Sequence, residues 1–400
     1  MAGNNVVVTH YNTTFVIIEK SFKYDRINNV IVNKVAMRRN GNTVQSVFSV
    51  SSDSSSFGPI GHISQVSADR LKGFIGYVGG GEGQDGRITP IEKAEHARFI
   101  GNVVREGIRR LESTGNTRLS IRTIVNNNTL ESLRNQVQRA GGTIEACLPI
   151  RDNYTIVYMG YNTPDRELNE ERRDSNETAI SRARQRYENN PESIRELAKE
   201  ILQQSNKYRV RVLDGVPRSF SESDYSQVNG LLSTFGYSDR DSRAAIENSQ
   251  NIVGLVYNNV AGHHAVVGIS ITERRTIELT NGQVVQIAEV TDGTVSPSAS
   301  GRGLYSRLLS NVFEHIADNR PELSLVFAES NTASNSILKA AALQGRSFAG
   351  ILPNHANISD RQTGELGLES FVVTYLTREQ LIASTRRLNA ALELQQAIRN

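Results

Sequence analysis

One stretch in the C-terminal half constrains the fold more than any other. Residues 284–295 are rich in β-branched side chains, Pro297 ends this run, and a helix-forming sequence begins at Leu304 after a loop of small residues. Apolar residues then recur every three to four positions, which predicts a helix with one buried face. They are Leu308, Leu309, Val312, Phe313 and Ile316. The sequence therefore predicts a strand, a tight loop and a core helix, in that order.

The loop carries two glycines, Gly301 and Gly303, immediately before the helix. Glycine lets a backbone approach a ligand closely, and the first N–H groups of a helix have no partners within the helix. Phosphate groups bind readily at such a helix start. A Gly-x-Gly pair also occurs in ordinary strand-to-helix connections, so the anion-binding loop is a hypothesis that needs support from its surroundings.

That support comes from the elements after the loop. A β-rich run covers 323–329, a helix follows over 330–345 with Ser330 or Asn331 as its predicted cap, and a strand is predicted over 346–352. Over about 208–376 this order resembles the GNAT superfamily of acyl-CoA-dependent N-acyltransferases. Gly301 and Gly303 match the two glycines of that family's diphosphate loop, and Asn331 and Gly345 match its later asparagine and glycine.

The resemblance implies acetyl-CoA, or a related acyl-CoA, as the acyl donor and no metal. The residues implied to bind it are Val295, Ser298, Ser300, Gly301, Arg302, Gly303, Leu304 and Asn331. Two positions depart from the family pattern. Ser298 stands where Gln or Arg is usual, and Leu338 stands where many members have the tyrosine that protonates the leaving thiolate. The sequence therefore leaves open which residue protonates the leaving thiolate.

An amine must be neutral before it attacks a thioester, and the departing thiolate needs a proton. Glu289 is the predicted base, because it lies on the strand that leads into the loop, where some GNAT members place a catalytic glutamate. Tyr305 and Tyr375 are the predicted acids. His355 and Glu369 are predicted to contact the acceptor. The segment from Asn331 to Pro353 resembles bacterial β-lysine acetyltransferases, which implies a small amino-acid-like amine.

The N-terminal half repeats this order of elements. Strands are predicted between residues 6 and 78, a helix over 91–113, and a strand-helix-strand unit from Leu119. Setting Asn128 on Asn331 brings Gly142 onto Gly345, which indicates a duplication, although any two such units share some features. The counterpart of the glycine loop falls near 94–99, where there is no glycine and where Glu95 adds negative charge. This half is predicted to bind no acyl-CoA.

The expected fold is therefore α/β, with two GNAT-like domains in tandem, each a mixed central sheet flanked by helices. The predicted boundaries are a degenerate domain over 1–161, a helical linker over 162–206, a catalytic domain over 207–377 and a terminal helix over 378–400. This arrangement, with one active and one structural half, resembles that of mycothiol synthase and N-myristoyltransferase.

The composition bears on the cellular location and the possible partners of the protein. The 400 residues include one cysteine, Cys147, so neither an internal disulfide nor a cysteine-based metal site is expected, and a cytoplasmic location is favoured. No run of 18 apolar residues predicts a membrane span. The net charge of +3, without a basic cluster, does not indicate nucleic acid as a partner but leaves it open. The oligomeric state is also open.

The function that these features favour is direct transfer of an acetyl group from acetyl-CoA to a primary amine. One alternative is an aminoacyl-tRNA-dependent transferase built from two GNAT-like halves, which would not need the glycine loop. The other is a catalytically inactive binding protein, which the departures at Ser298 and Leu338 would suit.

Overall fold

The computed structural model describes backbone strands between residues 7 and 88, helical positions between 97 and 109, and then most of the chain. The later described ranges are 117–164 without 152, 170–204, 206–216, 220–233, 237–260, 263–278, 283–332, 334–359 and 366–399. Residues 94–96, which belong to the predicted counterpart of the glycine loop, lie outside them. No helix within these ranges has the length and apolar character that crossing a membrane requires.

The N-terminal strands are short and numerous, as their β-branched runs predict. They are β1 Val7–His10, β2 Thr13–Ile17, β3 Asp25–Ile27, β4 Val30–Val35, β5 Met37–Arg38, β6 Val47–Ser52, β7 Gly61–Val66, β8 Gly73–Val78 and β9 Arg87–Ile88. Helical positions at 97–98, 100–101, 104–105 and 107–109 form α1. Next come β10 Arg118–Asn126, α2 Asn127–Arg139, β11 Thr143–Ile150 and β12 Tyr154–Asn162.

The rest of the chain alternates helices and longer strands. In order it contains α3 Glu170–Tyr187, α4 Pro191–Gln204, β13 Tyr208–Asp214, α5 Glu222–Leu232, α6 Asp239–Glu247, β14 Asn251–Val260, β15 His263–Glu278 and β16 Val284–Val295. A 3-10 turn, Pro297–Ala299, precedes α7 Leu304–Asn319. It is followed by β17 Leu323–Asn331, α8 Asn335–Leu343, β18 Ser347–Ser359, β19 Leu366–Thr377 and α9 Arg378–Arg399.

The chain divides into two compact units. Unit 1 comprises Met1–Asn176, Thr276–Val285 and Ala349–Val373, and unit 2 comprises Glu177–Arg275, Gln286–Phe348 and Thr374–Asn400. Both units contain parallel and antiparallel strand pairs together with helices. The predicted mixed α/β class is therefore confirmed, whereas the linear boundaries at 161, 206 and 377 stay a prediction.

Unit 1 has the strand order β4-β6-β7-β8-β10-β12-β11. Neighbours in this order are antiparallel except β8 and β10, which are parallel and are joined through α1. A parallel pair needs such a crossover. Ala97, Ile100 and Val104 of α1 pack with Leu133 and Val137 of α2 in one buried cluster. Burying these apolar side chains holds both helices on the sheet.

Unit 2 repeats this arrangement with the order β13-β14-β15-β16-β17. Here β16 and β17 form the parallel pair, and α7 is the crossover. All five apolar residues predicted for the α7 face are buried, so that prediction is confirmed. The N-terminus of α5 carries a capping box formed by Ser221 and Asp224. A second box, Ser238–Asp241, starts α6, a helix that the sequence analysis missed.

The glycines that end α2 and α8 match each other one residue away from the predicted alignment. Helix α2 ends in a left-handed Gly141 with φ of 90°, and α8 ends in a left-handed Gly345 with φ of 64°. Only glycine adopts this conformation without strain, so Gly141, not Gly142, is the counterpart of Gly345. These glycines are 204 positions apart, as are Pro149 and Pro353. The corrected register thus also aligns the two prolines.

The predicted cap of α8 is wrong. Ser330 and Asn331 belong to β17, and α8 begins only after its N-cap residue, Ser334. Ser330 is buried within the strand, so strand packing outweighs its tendency to cap a helix. The Ser334 N–H instead donates to the carbonyl of Asn331 and closes a turn between strand and helix.

Helix α4, in the segment predicted as a linker, is packed within unit 2. Its residues Ile194 and Ala198 form a buried cluster with Ala391 of α9, and Leu392 packs against them. The predicted terminal helix, α9, therefore packs against α4.

Candidate functional site

The glycine loop has the backbone conformation that an anion site requires. Gly301 and Gly303 are both left-handed, with φ of 74° and 67°. Gly303 is the N-cap residue of α7 and offers no side chain to its N-terminal N–H groups. Side chains at these positions would be strained and would cover the helix start. The loop therefore leaves the N-terminus of α7 uncovered by its own residues.

Backbone donors at the end of this loop have no acceptor. Among the described residues, no hydrogen bond satisfies the N–H of Gly301, Gly303 or Leu304, whereas the N–H groups of Ala299 and Ser300 donate to Ser296 and Pro297. These free donors lie where the positive end of the α7 dipole adds to their partial charge. A diphosphate would satisfy them.

The loop side chains are held by local contacts. The Ser298 hydroxyl lies 3.1 Å from that of Ser296, and the Ser300 hydroxyl donates to the Pro297 carbonyl over 2.9 Å. Arg302 donates from Nη1 to the Tyr208 hydroxyl over 2.9 Å. Val295 and Leu304 are buried in the cluster beneath the loop. The side chains therefore fix the loop, and its backbone N–H groups stay available.

The parallel pair below the loop opens before its strands end. Pairing between β16 and β17 runs from Gln286–Leu323 to Val290–Ala328 and stops there, although the strands continue to Val295 and Asn331. Beyond this point the facing edges do not bond to each other. An extended amide-containing ligand could take up such an edge.

Near this opening, the side chains of β16 no longer alternate regularly between the two faces of the sheet. Val290 and Val295 both pack in clusters with α7, although strict alternation would place them on opposite faces. Gly293 also faces α7, since a Cβ there would lie 2.7 Å from Tyr305 Oη. One extra residue between Val290 and Gly293, as in a β-bulge, accounts for this. Glu289 and Asp292 consequently share the face that points away from α7.

Glu289, the predicted base, is buried in a group of charged side chains on that face. Arg275 Nη2 lies 3.4 Å from a Glu289 carboxylate oxygen and 3.3 Å from a Glu273 carboxylate oxygen. Burial raises the pKa of Glu273 to about 7; Arg275 opposes the rise, and the charges of Glu289 and Asp292 add to it. One guanidinium thus joins two carboxylates, one of which holds a proton near neutral pH.

Asp292 extends this group towards α6. The Tyr237 hydroxyl donates to Asp292 Oδ2 over 2.6 Å. Burial and the Asp292 charge raise the pKa of Tyr237, so it stays a neutral donor. Tyr237 packs against the cluster that α5 and α6 form with β15, which includes Ile269 and Ile271. The charged group therefore lies on the α5 and α6 side of the sheet.

Tyr305, one predicted acid, lies on the other side. It is in the first turn of α7, and its hydroxyl lies against Gly293, beyond the last paired residues of β16 and β17. Tyr375, the second predicted acid, is half-buried on β19. Its neighbour Leu376 packs in the α7 cluster, so alternation turns Tyr375 to the opposite face. Tyr305 is thus the candidate next to the strand opening on the α7 side.

The other predicted contacts fall in different places. Asn331 ends β17 and is half-buried, and Leu338 is buried in α8, where it offers no proton. His355 and Glu369 belong to unit 1. His355 is buried, its Nδ1 lies 3.4 Å from Arg118 Nη2, and its ring packs edge-on against Phe371.

Arg118 is the centre of this buried group in unit 1. It makes a two-pronged ion pair with Glu145, with distances of 2.7 and 2.5 Å, and donates to the Asn162 side chain. Burial raises the pKa of Glu145 despite this pairing. Gly160 leaves the space for Glu145, since a Cβ there would overlap the carboxylate. His355 therefore joins a buried ion-pair group.

Sequence reasoning missed Glu273, Arg275, Asp292 and Tyr237. Alternation along β15 puts Glu273 on the same face as Ile269 and Ile271, which was a usable signal for a buried carboxylate. The residue spacing of β16 did not predict the extra residue that places Asp292 on that face. Across the described part of the chain, no group of three or more histidine, cysteine, aspartate or glutamate side chains could hold a metal ion.

No protein-family model matches this sequence, and a search of curated proteins finds no match. Solved structures similar to part of the chain include Arabidopsis thaliana NAA60 in complex with acetyl-CoA, at 10% identity and a TM-score of 0.34, covering 42% of this chain and 98% of that one. The ribosomal-protein-S18-alanine N-acetyltransferase of Escherichia coli aligns at 13% identity, with a TM-score of 0.32, 42% of this chain and 93% of that one. An N-acetyltransferase from Staphylococcus aureus Mu50 aligns at 11% identity, with a TM-score of 0.29, 43% and 99% coverage.

Proposed function

We propose that unit 2 is an acyl-CoA-dependent N-acyltransferase that moves an acetyl group to a primary amine. The observation that carries the proposal is the row of free backbone donors at Gly301, Gly303 and Leu304. They lie at the start of a buried helix, next to a strand pair that opens at Val290. A diphosphate fits the donors, and the extended arm of CoA fits the open strand edge.

The reaction would take place where the opening meets β16. With the diphosphate on the loop, the arm would run back along β16 and bring the thioester towards Gly293. The amine nitrogen attacks the carbonyl carbon, the C–S bond breaks, and the electron pair leaves on sulfur. Glu289 would accept the amine proton directly or through water, and Tyr305 would give a proton to the thiolate. No covalent enzyme intermediate is needed.

The charged group of unit 2 suits a cationic acceptor. Glu273, Glu289 and Asp292 bring three carboxylates against one guanidinium, Arg275. Such a balance attracts an ammonium group and can take up its proton. We therefore propose a small amino-acid-like amine as the acceptor. The predicted roles of His355 and Glu369 in acceptor binding stay part of this proposal.

Unit 1 is proposed to serve as a structural half. Its order β7-β8-α1-β10 parallels β15-β16-α7-β17, in keeping with duplication, and residues 94–99, the predicted counterpart of the glycine loop, contain no glycine. Glu95 in this segment adds a negative charge, which would oppose a diphosphate. The proposal therefore assigns acyl-CoA binding to unit 2 alone.

Thermal unfolding with added ligands tests this proposal. Acetyl-CoA and desulfo-CoA at a hundred times their dissociation constants should each stabilise the folded protein by about 2.7 kcal/mol. Charged tRNA should give no shift. Release of free thiol from acetyl-CoA in the presence of small amines then separates an enzyme from an inactive binding protein. Stabilisation by charged tRNA alone would contradict the proposal and favour the tRNA-dependent alternative.

A further inference from the structure

Arg346 is a buried cation whose side chain has only neutral partners. It follows α8 and is 3% exposed. Its guanidinium stacks on Phe313 of α7, with its central carbon 4.9 Å from the ring centroid. Its Nε donates to Gln344 Oε1 over 2.8 Å, and its Nη1 lies 3.4 Å from the Thr374 hydroxyl. No carboxylate among the described residues lies within ion-pair distance, so the charge of Arg346 has no negative counterpart there.

Two N–H donors of this group have no acceptor. Arg346 Nη2 and Gln344 Nε2 are both buried, and no hydrogen bond from the described residues satisfies either atom. Both adjoin the same bond, because Arg346 Nε donates to Gln344 Oε1 and Nη2 shares the outer edge of the guanidinium with Nε. A single small ligand can therefore reach both donors. A buried donor that the protein leaves without an acceptor usually binds an ordered water or an ion.

The surrounding charge favours an anion over water. A Cβ on Gly345 would lie 2.7 Å from Arg387 Nη2 of α9, so a second guanidinium lies beside the residue that precedes Arg346. Burial lowers the pKa of the Arg346 guanidinium to about 10, so it stays charged at neutral pH. In unit 1, the equally buried Arg118 is matched by the carboxylate of Glu145. A buried cation needs such a counter-charge, because it has lost its hydration.

We propose that Arg346 and Gln344 form a buried binding site for one halide ion, which would be chloride under physiological conditions. The ion accepts hydrogen bonds from Arg346 Nη2 and Gln344 Nε2 and neutralises the guanidinium. Its single charge matches the one buried cation, whereas sulfate or phosphate would bring a further charge into the interior. A water molecule would satisfy the donors but would leave the charge unmatched. The inference concerns the stability of unit 2 and does not depend on acyl transfer.

The variant Gln344→Glu supplies the counter-charge from the protein itself. Gln344 Oε1 already accepts from Arg346 Nε, so a carboxylate of the same shape can pair with the guanidinium in place of the ion. The wild-type melting temperature should rise and level off as chloride replaces gluconate at constant ionic strength, because a ligand that binds only the folded protein stabilises it. Gln344→Glu should melt at a higher temperature than wild type in gluconate, and chloride should not raise it further.

Arg346→Met should also lose the dependence on chloride, because it removes the charge and keeps an apolar side chain of similar length. Arg378→Met is the matched control. Arg378 is also partly buried, but it donates to three backbone carbonyls at the end of α7. Its loss should lower the melting temperature and leave the response to chloride as in wild type. An equal response to chloride in wild type, Gln344→Glu and Arg346→Met would overturn the inference.

Bromide locates the ion without reference to stability. Crystals of the wild-type protein grown in sodium bromide should show anomalous scattering from bromine within hydrogen-bond distance of Arg346 Nη2 and Gln344 Nε2. Crystals of Gln344→Glu should lack this signal, and bromide peaks common to both crystals are adventitious. A water at this position in the wild-type crystal, without an anomalous signal, would overturn the inference whether or not the variants fold. Absence of acyl transfer would refute the proposed function and would not alter this result.

Discussion

Replacing Gly301 with valine should weaken acyl-CoA binding about 10- to 100-fold while the fold survives. Gly301 has φ of 74°, and a Cβ built there meets no atom within 4 Å, so valine introduces no clash within the protein. The side chain would instead fill the space in front of the free N–H groups. Gly303 is less suited, because its Cβ would lie 2.6 Å from Glu200 Oε2 and would disturb α4 as well.

The geometry allows the losses of stability and of acyl-CoA affinity in Gly301→Val to be estimated. The left-handed conformation costs a residue with a Cβ about 1–2 kcal/mol, which appears as lost stability. Hydrogen bonds to charged groups contribute about 1.5–3 kcal/mol each, so losing one from a backbone N–H to phosphate weakens binding about 10- to 100-fold. Stability and affinity thus change by amounts that separate assays can measure.

Gly215→Val is the matched control for strain. Gly215 is left-handed, with φ of 85°, and its Cβ would also meet nothing within 4 Å, but it follows β13 and is not part of the glycine loop. Urea unfolding should show similar losses of stability in both variants. Titration calorimetry with acetyl-CoA should show weakened binding in Gly301→Val alone. Equal affinity in the two folded variants would refute the diphosphate assignment.

Three further predictions address other parts of the chain. Glu289→Gln should lower turnover by about 10²- to 10⁴-fold at neutral pH with little change in acyl-CoA affinity, and the loss should shrink as pH rises; a profile parallel to wild type would contradict a base role. Burial opposes ionisation of Asp214, but hydrogen bonds from Arg320 and His315 prevail and lower its pKa. The stability that Asp214 contributes is therefore present above its pKa in the unfolded chain and is lost as the pH falls through its pKa in the folded protein. Asp214→Asn should lower the free energy of unfolding by about 1–3 kcal/mol at pH 7, and by less at low pH, as measured by urea unfolding. Hydrogen exchange at residues 97–98 should not change on adding acetyl-CoA, whereas slowed exchange there would contradict a non-binding unit 1.

The sequence allowed the elements around the glycine loop to be predicted because several local signals agree there. Pro297 ends a β-branched run, the glycines precede the helix, and apolar spacing marks the buried face of α7. The class of the fold followed from the alternation of such elements. The Ser221 cap was equally readable, because Asp224 at the third helical position completes its box.

Other features depend on tertiary packing, which spacing does not encode. Ser330 and Asn331 have side chains suited to a cap, yet burial keeps Ser330 in β17. The extra residue in β16 is set by how the strand packs against α7, so the meeting of Glu289 and Asp292 on one face could not be predicted. The lack of an ionic partner for Arg346 became visible only once the surrounding side chains were placed.

The most direct test of the central claim is amide hydrogen exchange at Gly301, Gly303 and Leu304 with and without acetyl-CoA. These N–H groups have no acceptor within the described protein, so they should exchange rapidly in the free state. If they bind the diphosphate, saturating acetyl-CoA should slow their exchange markedly and leave Gly215 unchanged. Bound acetyl-CoA that leaves exchange at all three positions unaltered would contradict the claim that this loop holds the cosubstrate.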